Sequence, residues 1–279
     1  MIYSLVKKTI GATFLFALFT SCAYAADLAR SLISNTDENS TPENFFELGV
    51  GTTAYVGSLF NDQDGKEYEA GITFTGSYNW QNFFFDIANK ASDPVLLGYT
   101  VYNQHNWSFD VIFTGPGSGL RRDENDINVE GINDRDNNSM LGGRLTGYVG
   151  ENIVQLMLKH DVSRKNDGTI ASALIGQNWQ VRNINFHGLI GLSFRDAKHN
   201  DYYYGVTEQE ATDSGFSPYR GKSSLNLDSS VGLTYPISQN WVLRAEAFAG
   251  SNFGNTKSPL FSKARHFYTV IGCSIRYVF

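Results

Sequence analysis

The sequence predicts an all-β protein: a transmembrane antiparallel β-barrel of about twelve strands, with short periplasmic turns and long outer loops. Three observations carry that reading. The chain ends in a strict alternation, with Phe267, Thr269, Ile271, Cys273, Ile275, Tyr277 and Phe279 on one strand face and Tyr268, Val270, Gly272, Ser274, Arg276 and Val278 on the other. The first face suits lipid. Links between the strand-like segments alternate between short and long, as a barrel sorts periplasmic turns from outer loops. The chain begins with a secretory leader, which directs it out of the cytoplasm.

That leader comprises Lys7 and Lys8, an apolar run over 9–20, and Ala23-Tyr24-Ala25, the small-x-small pattern cut by signal peptidase. Residues 1–25 therefore read as a signal peptide, 26–45 as a polar periplasmic segment and 46–279 as the barrel. An apolar run of roughly a dozen residues is too short to cross ~30 Å of hydrocarbon as a helix. Cleavage after Ala25 removes Cys22. Cys273 then stands on the lipid side with no partner for a disulfide framework or a zinc cluster.

The first strand, 46–57, sets Phe46, Leu48, Val50, Thr52, Ala54 and Val56 against Glu47, Gly49, Gly51, Thr53 and Tyr55. The second, 68–79, turns Ala70, Ile72, Phe74 and Tyr78 outward and Glu69, Thr73, Thr75 and Ser77 inward, and a tight turn leads into 83–88. Alternation continues over 107–114, 141–149, 153–161, 184–195, 225–235 and 241–251, and is less regular over 95–102 and 171–181. Short turns fall at 79–82, 103–106, 150–152, 182–183 and 236–240. Long links fall at 59–67, 90–94, 115–139, 163–169, 196–224 and 252–264. Trp80, Trp107, Trp179 and Trp241 all lie beside short turns, where indoles sit at the headgroup level.

Composition agrees. A barrel needs apolar side chains on only half of each strand, so a mean hydropathy of −0.26 is compatible with the membrane. Twenty Phe, fifteen Tyr and 27 Gly against six Pro suit aromatic girdles and curved strands. The net charge of −6 becomes two units more negative when Lys7 and Lys8 leave, which argues against nucleic acid and fits loops facing lipopolysaccharide.

Motifs for catalysis are lacking. None of the five His stands in a nucleophile motif, and no HExxH, P-loop or GxGxxG occurs. His187 is the histidine that falls clearly on an inward face. Asp134, Asp136 and Asn138 are spaced as in a calcium loop, but Ser139 replaces the turn glycine and Leu145 the bidentate glutamate, so 115–139 reads as a solvated outer loop. No cofactor or metal is called for. Inward faces carry Glu47, Glu69, Asp86, Asp110, Arg144, Lys159, Asp228, Arg244, Glu246 and Arg276. In a narrow lumen these charges pair across the barrel or line a solute path.

Tyr203-Tyr204-Gly205-Val206, then Ser217-Pro218-Tyr219 and Gly221, resemble a segment of the MltA-interacting protein (MipA)/OmpV outer-membrane family. Val231-Gly232-Leu233-Thr234-Tyr235 with Asn240-Trp241, Ser258-Pro259-Leu260 and Tyr277-Val278-Phe279 are similar to the rest of that family's C-terminal half. The resemblance implies an outer-membrane barrel that is not an enzyme. In some members it is a periplasmic scaffold linking a lytic transglycosylase to a peptidoglycan synthase, and others are linked to adhesion or envelope stress. By resemblance to bacterial barrels, Tyr277 and Phe279 form the signal read by the barrel assembly machinery. The functional expectation is a scaffold or structural role in the cell envelope, with a narrow channel for small polar solutes or a surface adhesin as alternatives. Arg144, Arg244, Glu246 and Arg276 are the expected lumen residues. Tyr203 and Tyr204 are the expected aromatic cap, on a link 196–224 that folds back over the mouth.

Overall fold

A computed structural model describes residues 44–56, 66–87, 95–104, 106–115, 130–251, 253, 257–261 and 266–279. The leader 1–25, nearly all of segment 26–45 and the first half of link 115–139 lie outside the described residues.

Twelve strands form one closed sheet: β1 (Phe45–Val56), β2 (Lys66–Trp80), β3 (Phe83–Ile87), β4 (Val95–Gln104), β5 (Trp107–Thr114), β6 (Met140–Val149), β7 (Asn152–Asp161), β8 (Thr169–Val181), β9 (Ile184–Arg195), β10 (Ser224–Pro236), β11 (Trp241–Ser251) and β12 (Phe267–Val278). Each pairs antiparallel with its sequence neighbours, and β12 pairs with β1 from Glu47↔Val278 to Val56↔Thr269. Closure is obligatory in hydrocarbon, because an unpaired backbone N–H or C=O there costs several kcal/mol.

The two strand faces separate as their sequences require. Val50, Ile72 and Ile271 are 64%, 60% and 51% exposed on the outer wall, whereas Glu47, Asp110 and Arg144 are buried inside. Among the described residues no helix is long and apolar enough to cross a membrane, and the strands do the crossing. The four Trp are exposed at the short-turn end, where Trp179 stacks on Phe186 and Trp241 meets Tyr277 edge-on. Tyr277 packs on Phe279, and Phe279 on Phe46, so the seam between β1 and β12 carries an aromatic cluster at this end.

The two irregular strands have physical causes. In β4 the register slips between Thr100 and Tyr102, which leaves Val101 and Tyr102 both exposed. In β8 the inward positions include Ile170 and Leu174, so apolar residues occupy both faces. Link 196–224 is not a plain loop. It folds into helix α1 (Ala197–Tyr204) and helix α2 (Glu208–Ser214). Asp196 caps α1 by accepting the His199 N–H at 2.8 Å. Thr207 and Glu210 form a reciprocal capping box on α2, and Gly215, at φ +76°, ends it in the left-handed region.

Candidate functional site

Two constructions occupy the barrel: a charged, partly apolar filling in the lumen and a folded cap at the long-loop end. The filling has two halves. At the seam, Glu47 of β1 accepts from Arg244 of β11 through Nε at 3.0 Å and through Nη2 as well. Arg276 of β12 lies 3.5 Å from the same carboxylate, and Thr75 of β2 donates to it at 3.2 Å. The remaining Arg244 nitrogen, Nη1, donates to Thr234 at 3.0 Å, and Arg276 Nε donates to Ser274 at 2.9 Å. One carboxylate thus ties four strands together across the closure.

On the opposite wall Arg144 of β6 donates to Asp110 Oδ2 through Nε at 3.0 Å and Nη2 at 2.8 Å, both side chains being nearly fully buried. Thr100 supplies Asp110 Oδ1 with a hydrogen bond of 2.8 Å. The guanidinium of Arg144 lies 5.1 Å above the Phe84 ring, and Phe84, Leu96 and Ile112 form an apolar wedge inside the lumen with Met157 packed against it. The lumen is therefore not uniformly polar. Leu96 and Ile112 sit at inward positions that a pore-lining strand would fill with polar groups.

The cap joins four outer links. Ile132, Val206, Leu260 and Phe261 form its apolar core, with Tyr204, Phe216 and Tyr219 packed around it. Val206 pairs with Tyr219 in an isolated bridge. Arg135 bonds the Glu210 carboxylate from Nη1 at 2.9 Å and Nη2 at 3.1 Å, and donates from Nε to the Tyr202 carbonyl at 2.6 Å. Burial alone would raise the Glu210 carboxyl. Arg135 and the N–H groups of Thr207 and Asn133 outweigh it and bring the pKa down to about 2. The cap is fastened to the barrel by Asn200 donating to Ser224 at 3.0 Å and by Arg195 donating to the Tyr204 hydroxyl at 3.4 Å, and within the cap the Tyr203 hydroxyl donates to Asn138 at 3.0 Å. Tyr203 is buried, and burial raises its hydroxyl beyond the usual tyrosine range. Link 162–168 is organised by Asp161, whose carboxylate accepts backbone N–H groups of Ser163, Lys165, Asn166 and Asp167.

Among the described residues no group of three or more His, Cys, Asp or Glu is placed to hold a metal ion. Residues 49–279 match the profile of the family described as MltA-interacting protein MipA. The chain belongs to that family. The MipA-family barrel is 24% identical over 226 residues to the outer membrane protein Omp26La of Vibrio anguillarum, covering 79% of this chain and 82% of that one. It is 25% identical over 230 residues to the outer membrane protein OmpV of Vibrio cholerae, with the same coverage. Similar solved structures include the NanC porin (TM-score 0.44, 10% identity, 82% of this chain and 98% of that one) and OmpT of Vibrio cholerae (TM-score 0.39, 10% identity, 84% and 97%). The protein is an outer-membrane β-barrel.

In this MipA-family chain the residues singled out by sequence fall into separate places. Arg244 and Arg276 meet at Glu47, Arg144 belongs to the opposite wall, and Glu246 lies on the inner face of β11 opposite Gly272 and Gly232. Tyr203 and Tyr204 close α1. Of the segments that carry the family likeness, those at 203–206, 217–221 and 258–260 converge on the cap: Val206 meets Tyr219, and Ser258 donates to the Tyr204 carbonyl at 2.7 Å. At Gly221 a methyl group would come within 2.3 Å of the Asp201 nitrogen, so only glycine lets the chain lie against α1. Sequence reasoning missed the Arg135–Glu210 pair. The described part of link 115–139 is not simply solvated, since Ile132 and Asn138 are buried in the cap. Thr207-x-x-Glu210 was the available signal, a capping-box pattern announcing α2.

Proposed function

We propose that the protein is a capped, resting-state non-conducting barrel with a non-enzymatic scaffold role in the cell envelope. The observation that supports the reading is the buried filling of the lumen together with the folded loop cluster at the long-loop end. Ion pairs and the Phe84 wedge occupy the interior, and the cap, held by Arg135–Glu210 and the Val206 core, stands at the long-loop end. A barrel filled in this way suits presentation of surfaces better than solute passage. The family's description as MltA-interacting points to a lytic transglycosylase as partner. Short turns and segment 26–45 offer the periplasmic contact, a peptidoglycan synthase being the further partner. Lipopolysaccharide surrounds the outer rim.

The seam favours a second reading, a narrow channel used when the cap is displaced. A methyl group at Gly272 would meet nothing closer than the Thr52 carbonyl oxygen at 3.8 Å, and Arg244 and Arg276 keep side-chain exposures of 23% and 17%. Planar-bilayer recording separates the two. The scaffold reading expects silence from the intact protein and recovery of a lytic transglycosylase on affinity capture from solubilised envelopes. Ion-sized steps from the intact protein, with no transglycosylase captured, would sink it. Tyr203→Ala/Tyr204→Ala should loosen the cap and allow brief openings.

A further inference from the structure

His199 sits on α1, four residues past the end of β9, and is 8% exposed. Its ring packs on Tyr203 with centroids 4.9 Å apart, and its Cβ abuts Gly168, where a methyl group would approach within 2.7 Å. The charged groups that act on the ring are Arg195 of β9 and Lys159 and Asp161 of β7. Two of these three are cations. The Asp161 carboxylate is committed to link 162–168, accepting from Ser163 Oγ at 2.5 Å and from four backbone N–H groups.

Other nearby charges are engaged elsewhere. Asp196 accepts the His199 backbone N–H at 2.8 Å, Asp201 accepts from Gly221 N–H at 2.7 Å, and Asp136 pairs with Lys165 at 2.5 Å. Lys198 and Lys222 are exposed. β8 contributes Thr169 and Ile170, both uncharged. The ring's Nδ1 has no hydrogen-bond partner. A second proton would therefore create a buried cation beside Arg195 and Lys159 with no acceptor at Nδ1.

We propose that His199 makes the cap an acid-released latch, in which acidification of the outer medium frees α1 from the barrel mouth and uncovers the polar inner ends of β7, β9 and β10. The inference goes beyond the scaffold reading and does not depend on it. Burial, then Arg195 and Lys159, hold the imidazole down to about 3, against 6.5 when the ring is released into water. The sign follows from linkage. Between those values the released state binds a proton that the docked state does not, so docking is fully stable above 6.5 and weakens as pH falls toward 3. From pH 7.5 to pH 5 the opening constant rises about thirty-fold.

The test is amide hydrogen exchange on the full chain in lipid vesicles, corrected for the pH dependence of intrinsic exchange. Its reporters are the N–H groups of Asp196 and Thr169, which join the start of α1 to β8 by bonding to the Thr169 carbonyl at 3.1 Å and to the Asp196 carboxylate at 2.9 Å. The intact protein should show the rise of about thirty-fold, His199→Gln should change by less than about three-fold, and His199→Arg should be open already at pH 7.5. Unheated gel mobility verifies that each variant retains the barrel. A rise below about three-fold in the intact protein, or an equal rise in His199→Gln, overturns the proposal; the second result would assign the effect to carboxylates.

Discussion

Glu47 holds the closure of the barrel, and its removal gives the sharpest test of the lumen. Glu47→Ala strips the acceptor from two arginines while leaving β1 and β12 hydrogen-bonded. Breaking a buried ion pair from one side costs about 3–5 kcal/mol. Arg244 and Arg276 keep 23% and 17% side-chain exposure, so water compensates in part and the lower end applies. The expected loss is about 3 kcal/mol, on the order of a hundred-fold in the folding equilibrium. Glu47→Gln retains the volume and one acceptor oxygen, and should lose about half as much. Urea titrations of folding into lipid vesicles, read by heat-modifiable gel mobility, measure both. Glu47→Ala/Arg244→Ala completes a double-mutant cycle, with a coupling of at least about 1 kcal/mol expected. A cost below about 0.5 kcal/mol for Glu47→Ala would refute the reasoning, because that is what an unremarkable surface site loses.

Three further outcomes are expected. Ile271→Arg places a cation in lipid and should cost ~2 to 4 kcal/mol in the same titrations, whereas the methyl group of Gly272→Ala reaches only ordinary contact with Thr52 and Thr53, at 3.8 and 3.9 Å, and should be nearly neutral. Deleting Phe279 removes the ring that packs on Phe46 and Tyr277 and should lower the outer-membrane level of the protein in fractionated cells; an unchanged level would count against an assembly role. The Glu210 carboxyl is held near 2 against 4.5 in a free chain, so its contribution to the cap is complete above 4.5 and lost as pH falls toward 2. Limited proteolysis between those values should show progressive nicking near Arg220, and Glu210→Gln should already be nicked at neutral pH.

Strand identity was legible because lipid and lumen impose opposite chemistry on alternate residues, and the alternation around Val50 or Ile271 needs no tertiary knowledge. Turn parity and the four Trp were legible for the same reason. What sequence did not expose is pairing. Glu47, Arg244 and Arg276 were each recognisable as inward, but only barrel closure makes residues separated by 197 positions neighbours. Nor did it expose the cap. Ile132, Val206 and the pair Leu260–Phe261 are scattered apolar residues in polar links, without periodicity, and they become a core only when three links meet. The wedge of Leu96 and Ile112 was hidden for a related reason. Apolar residues facing inward blur the alternation that identifies a strand.

The cap also gives barrel insertion a direction. Its four links, near 130–139, 162–168, 196–223 and 257–261, all belong to the outer end, so the cap is complete only when all four are there. The contacts that knit them together, Arg135 with Glu210 and the Val206 core, run between links and so require all of them at that end. Withdrawing one strand pair afterwards means undoing contacts with the others and dragging both charges back through hydrocarbon. Entry takes place in small steps, while exit has to undo all of them together. The knitted loops act as the pawl of a ratchet, holding the barrel in the membrane from the far side.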